Sequence, residues 1–154
     1  MAHRIKPTHN DKTGPAFYWA SFGLACLGVL DATYLLVYKL TNNNAMCLGN
    51  GGCHDVNFSP YAEIGGIPVS VFGIVAFLGI IVVLVLEPRL KIAKENGSLA
   101  IFGISLAGVA FTGYLTWLEI YVIHAICPFC VASAVIIALI FILAIFRLIK
   151  QTAH

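Results

Sequence analysis

The chain has 154 residues, 60% of them hydrophobic and only 10% charged, with a mean hydropathy of +0.91. Soluble domains carry about 25% charged residues, which argues against a water-soluble globule. The net charge of +2 is too small to suggest a nucleic-acid partner.

In chain order, an N-terminal tail with Arg4, Lys6 and Lys12 leads to Gly14-Pro15 and a first apolar stretch, residues 16–38, whose one charge is Asp31. It is too long for a signal-peptide core, and Asp31 and Tyr34 make a poor cleavage neighbourhood, so a retained helix is expected. A loop over residues 41–66 follows. Its first part, 42–52, is polar and contains Gly49, Gly51 and Gly52. Ser59-Pro60 then resembles an N-cap with proline at the first helical position. That predicts a short helix over 60–64 across the bundle mouth, ended by Gly65-Gly66. Residues 67–86 are charge-free, and Pro88 closes them because proline cannot continue the hydrogen-bond ladder. Asn96-Gly97 predicts a turn, with Ser98 capping the next span. Residues 99–118 and 128–146 are again charge-free, and Gly103, Ala107, Gly108 and Gly113 would let the third span approach its neighbours closely. About twenty residues cross the hydrocarbon core. The expectation is one all-α membrane domain over residues 1–154, a four-helix bundle with spans at about 16–38, 67–86, 99–120 and 127–148.

Eight basic residues fall on one side of this arrangement: Arg4, Lys6, Lys12, Arg89, Lys91, Lys94, Arg147 and Lys150. Lys39 alone falls on the other. Short loops rich in Lys and Arg stay cytoplasmic, which puts both termini inside. The loop 41–66 and the link 121–126 then face outward, into an oxidising compartment.

Four cysteines go with the outer side. Cys127-Pro-Phe-Cys130 has i, i+3 spacing, which puts both sulfurs on one helix face, within reach of a disulfide. Pro128 suits the first helical position and makes Cys127 the N-cap, where a helix N-terminus stabilises a thiolate. Cys47 and Cys53 sit in the glycine-rich loop. A zinc site or a plain structural disulfide are alternatives. A mobile loop thiol above a fixed helical pair is also the geometry of a thiol–disulfide relay. Cys26 reads as an apolar filler, and His54 and His124 as solvated loop residues. Asp31 is costly in a membrane, which suggests either a proton donor or a bond to a residue such as Tyr34. Glu119, near the outer surface, reads as solvated or structurally hydrogen-bonded. Phe72, Phe77, Phe111, Tyr114 and Trp117 could line a quinone pocket or serve as packing and interface anchors.

In order along the chain, Cys47-x5-Cys53, Ser59, Gly66-Ile67-Pro68, Ser70-Val71-Phe72-Gly73 and Cys127-Pro-Phe-Cys130 resemble the vitamin K epoxide reductase family, over about residues 16–148. The resemblance implies a four-helix bundle around a quinone, capped by a half-helix in the first outer loop, with Ser59 at the half-helix. It implies that Cys47 exchanges with a thioredoxin-like partner, that Cys53 passes electrons to Cys127, and that Cys130 faces the quinone. Val69 and Ala134 stand where vertebrate members carry the asparagine and tyrosine that hold vitamin K. Together with Phe72 they are the quinone-pocket candidates, and they favour a ubiquinone- or menaquinone-class acceptor, as in bacterial and archaeal homologues, over an epoxide. The chain stops at His154, so a separate thioredoxin-fold protein with a reduced C-x-x-C is the expected partner. No metal is expected. The function so implied is a quinone-dependent thiol–disulfide oxidoreductase of the inner or plasma membrane, supporting disulfide formation. The rivals are a vertebrate-type epoxide reductase, a DsbB-type oxidase (in which the two cysteine pairs come in the reverse order) and a non-enzymatic scaffold.

Overall fold

A computed structural model describes residues 14–42 and 52–153. Four helices are long and apolar enough to cross a membrane. Helix α1 covers Gly14–Thr41, α3 Val69–Leu86, α4 Lys91–Leu118 and α5 Pro128–Thr152; between the first two spans lies the short α2, Gly52–Asn57. Helix α1 packs on α3 and α5, and α4 packs on the same two, so the spans close into a ring in the order α1–α3–α4–α5. Lipid gives no hydrophobic drive for this association, which depends on close fit. At Gly28 an added Cβ would stand 2.5 Å from the Phe77 ring, and at Gly108 2.7 Å from Ile137. Gly28 thus lets α3 approach α1, and Gly108 lets α5 approach α4. Gly103 and Gly113 have nothing within 4 Å of such a Cβ and take no part. Phe77, Ile80, Leu84, Ile101, Ile137 and Ile140 fill the core, while Leu27, Leu30, Val75, Val82, Leu106 and Ile142 point outward, as lipid-facing side chains do.

The punctuation differs from expectation in two places. Helix α3 ends at Leu86, as Pro88 requires, but the turn occupies residues 87–89 and α4 begins at Lys91, so Asn96-Gly97 is helical. A glycine costs a helix only about 1 kcal/mol, and Gly97 is useful here: its added Cβ would meet the Glu87 side chain at 3.4 Å. Ser98 caps nothing; it is buried, about two turns into the helix. Arg147 of α5 pairs with Glu87 at this end of the bundle.

The outer loop differs too. The half-helix is α2, carrying Cys53, and Pro60–Ala62 is only a single 3-10 turn. Glu63–Ile64 and Ile67–Pro68 then form a two-residue antiparallel ladder, β1 and β2, with Glu63 opposite Pro68 and Ile64 opposite Ile67. Gly65 and Gly66 make its tight turn with φ of +60° and +82°, a conformation that glycine adopts without strain. Ser59 has the N-cap position but makes no capping bond. Its hydroxyl donates instead to the Val56 carbonyl at 2.8 Å, closing the end of α2.

Candidate active site

Cys127 is the N-cap of α5, with φ −94° and ψ 115°, and Pro128 follows at the first helical position. The proline fixes φ and lacks the N–H that would be orphaned there. The Cys127 side chain is 0% exposed and shares a buried cluster with Leu35, Tyr38, Cys53 and Val56. Cys53 is disulfide-bonded, whereas Cys127, Cys130 and Cys26 carry free thiols. Cys47 lies outside the described residues.

Gly52 brings Cys53 to this cluster. An added Cβ there would stand 2.4 Å from the Ile126 carbonyl oxygen, so α2 lies directly on the segment leading into α5. Asn57, one turn after Cys53, locks the arrangement. Its Nδ2 donates to the Cys53 carbonyl at 2.9 Å and reaches towards Cys127 Sγ at 3.9 Å. From α1, Lys39 Nζ donates to the carbonyls of Asn57 (3.0 Å) and Ala62 (3.4 Å) and pairs with Glu63 at 3.0 Å. Sequence reading assigned no role to Asn57. Its i+4 spacing from Cys53 becomes informative only once α2 is known to be a helix.

The electrostatics of the dithiol follow from its place. A hydrogen bond from the Cys130 thiol, with help from the Cys130 and Phe129 backbone, holds the Cys127 thiol below its ordinary pKa. Burial and the nearby Glu119 carboxylate oppose this without reversing it. Cys127 is therefore the stabilised thiolate of the pair.

Between the spans, beneath α2 and the hairpin, lies a cavity of about 130 Å³. Its wall is mainly apolar, with Val69, Phe72 and Phe77 from α3 and Phe111 and Leu115 from α4. Cys130 lines it and Cys127 does not, so the two sulfurs face different neighbourhoods. Ser59 also contributes to the wall. Ala134 does not; Ser133 stands there in its place. Tyr114 and Trp117 are absent from the wall as well and are more than half exposed, with Trp117 against Tyr121, an arrangement suited to a membrane interface.

Both acids are hydrogen-bonded, one of the alternatives the sequence allowed for each. Asp31 accepts a hydrogen bond from Ser133, and the Tyr34 ring lies 4.7 Å from that of Phe129. Glu119 is not solvated: it is 2% exposed, its Oε2 accepts from the Cys127 backbone N–H at 3.3 Å, and it lines the cavity. It opens a wide π-helical turn, Glu119–Ile123, that ends at His124 in the left-handed region with φ 56°. His124 is exposed, but His54 is half-buried on α2 and stacks on Phe58 at 4.5 Å. Among the described residues, no group of three or more His, Cys, Asp or Glu could hold a metal ion.

The sequence model of the vitamin K epoxide reductase family matches residues 19–145. A curated relative, the thiol-disulfide oxidoreductase LTO1 of Arabidopsis thaliana, is 33% identical over 124 residues, which make up 76% of this chain. The match covers 33% of the relative, so this chain spans about a third of its length.

Proposed function

The chain belongs to the vitamin K epoxide reductase family, and from that membership and the placing of its thiols we propose that it is a membrane thiol–disulfide oxidoreductase reducing a quinone. The observation that carries this is the division of the helical pair: Cys127 is buried beside Cys53, and Cys130 lines an apolar cavity between the spans. Electrons enter on one sulfur and leave from the other.

A thiolate of a thioredoxin-fold partner attacks Cys47 in a loop disulfide with Cys53, and Cys53 leaves as a thiolate. Cys53 then attacks Cys127 of an oxidised helical pair, and Cys130 is released reduced. Each exchange breaks one S–S bond and forms another. Completion of the sequence leaves Cys47 and Cys53 paired again and Cys127 and Cys130 reduced. The cavity fits an apolar planar ligand: Phe72, Phe77 and Phe111 offer ring faces, and Ser59, Ser70 and Thr112 offer hydroxyls at its wall. A bound quinone supplies a sink for two electrons and two protons. Val69, a cavity-lining aliphatic residue with no donor, favours a quinone over an epoxide. The family relative is itself a thiol-disulfide oxidoreductase by name, which supports a disulfide-forming role. The basic residues at the opposite end of the bundle support cytoplasmic termini and an outward-facing relay.

Purified protein with quinone should reoxidise a reduced thioredoxin-fold protein, and Cys130→Ala should bring the rate to background. A Cys53→Ala variant should accumulate a mixed disulfide between Cys47 and the partner. Unchanged turnover in Cys130→Ala would overturn the assignment.

A further inference from the structure

Oxidising a dithiol releases two protons along with two electrons, and the half-buried Cys130 thiol needs somewhere to put its own. Among the described residues, Glu119 is the one carboxylate in the cavity wall. Its oxygen accepts the Cys127 N–H at 3.3 Å, and its side chain shares the cavity wall with Cys130. The wide turn it opens is the last turn of the third span, and such insertions often mark functional positions.

We propose that Glu119 is the catalytic proton acceptor of Cys130, taking the thiol proton at the cavity wall they share and delivering it into the cavity. In the first half of the step, Cys130–SH and Glu119–COO⁻ become Cys130–S⁻ and Glu119–COOH. In the second half the Cys127 and Cys130 sulfurs join, and two electrons leave to the acceptor. One of the acceptor's two protons comes from Glu119, which returns to the carboxylate. The other comes from water and replaces the proton already lost by Cys127. The identity of the acceptor rests on the quinone reading above; the proton transfer itself does not.

The surrounding groups leave this role to Glu119. From α1, Lys39 also lines the cavity, but it is a cation engaged with Asn57, Ala62 and Glu63. Tyr38 of α1 lies in the Cys127 cluster and does not line the cavity, nor does Asp55 of α2, while Tyr61 of the 3-10 turn lines it with a phenol and not a carboxylate. Helix α3 contributes no titratable side chain to the wall. Asp31 is held by Ser133 outside the wall.

The test uses Glu119→Gln in a Cys127→Ala background, because glutamine keeps an oxygen for the backbone N–H of residue 127 but cannot take a proton. The readout is the rate at which a small neutral reagent alkylates Cys130 across pH, with no quinone and no partner present. With Glu119 in place, one proton is shared between thiol and carboxylate, so the rate should level off over the middle of the pH range. With glutamine it should keep falling about tenfold per pH unit. Identical profiles would overturn the proposal and leave Glu119 as a structural acceptor. If the glutamine variant fails to fold, infrared spectra of the reduced Glu119-containing protein decide. The Cys130 S–H band and the protonated-carboxyl band should exchange intensity as pH changes, and independent titration of the two would overturn it. Because no quinone enters, a plateau without quinone reduction would refute the acceptor while leaving Glu119 standing.

Discussion

At the scale of residues, the helical pair is asymmetric by position. Cys127 receives the Cys130 thiol and the backbone of the first turn of α5, and its pKa is held down despite burial. A depressed pKa means that the thiolate persists to lower pH than an ordinary cysteine, whose reference value is about 8.5. Thiolate absorbance of the reduced protein, taken as the difference from Cys127→Ala, should therefore rise at lower pH than this. In Cys130→Ala the onset should move upward, since the principal donor is gone; an unmoved onset would refute that cause. These two cysteines were legible because proline after cysteine and i, i+3 spacing are local signals. Of the two readings of Glu119, solvated or structurally hydrogen-bonded, the structure has the second, and its burial is not local. Counting along α4 puts it near the surface, and only the π-helical turn and the lie of α2 bury it against the dithiol. Ala134 was misplaced for a related reason: an aligned position names a residue, but helix rotation decides that Ser133 meets the cavity.

At the scale of elements, α2 and the hairpin form a lid held by few bonds. Lys39 supplies several of them, with an 11% exposed side chain reaching two carbonyls and Glu63. Hydrogen bonds from a charged donor contribute about 1.5–3 kcal/mol in net terms. The ion pair adds less, about 0–1 kcal/mol, because the Glu63 side chain is 47% exposed. Lys39→Ala should leave the spans intact and raise amide exchange in α2 by roughly 10–100-fold. Equal protection in the variant would show that the lid rests on its apolar contacts alone. Reading the loop as a sequence found a capping helix but put it at 60–64, since Ser59-Pro60 is a strong start signal. Gly52 reads as loop, and its true function, clearance for the Ile126 carbonyl, is a tertiary fact. Pro88 gave the end of α3 correctly, because a missing N–H is decisive wherever it falls. Asn96-Gly97 failed because glycine is only a weak helix breaker.

For the whole molecule, four long apolar helices form a ring whose two ends differ. One end closes with the Arg147–Glu87 pair, while the other holds the thiols under a lid. The count of spans was plain from composition, as a charge-free run of about twenty residues has few other uses. The cavity was not, because it depends on which faces the spans turn inward. Its position beside Cys130 is what the proposed passage of electrons from an aqueous thiol to a lipid-soluble acceptor requires. The most direct measurement is an anaerobic titration of the fully reduced protein with quinone, quantifying quinol and mapping disulfides by mass spectrometry. One quinol should form for each Cys127–Cys130 disulfide made. Quinol formed while Cys127 and Cys130 remain thiols, or no quinol at all, would contradict the account.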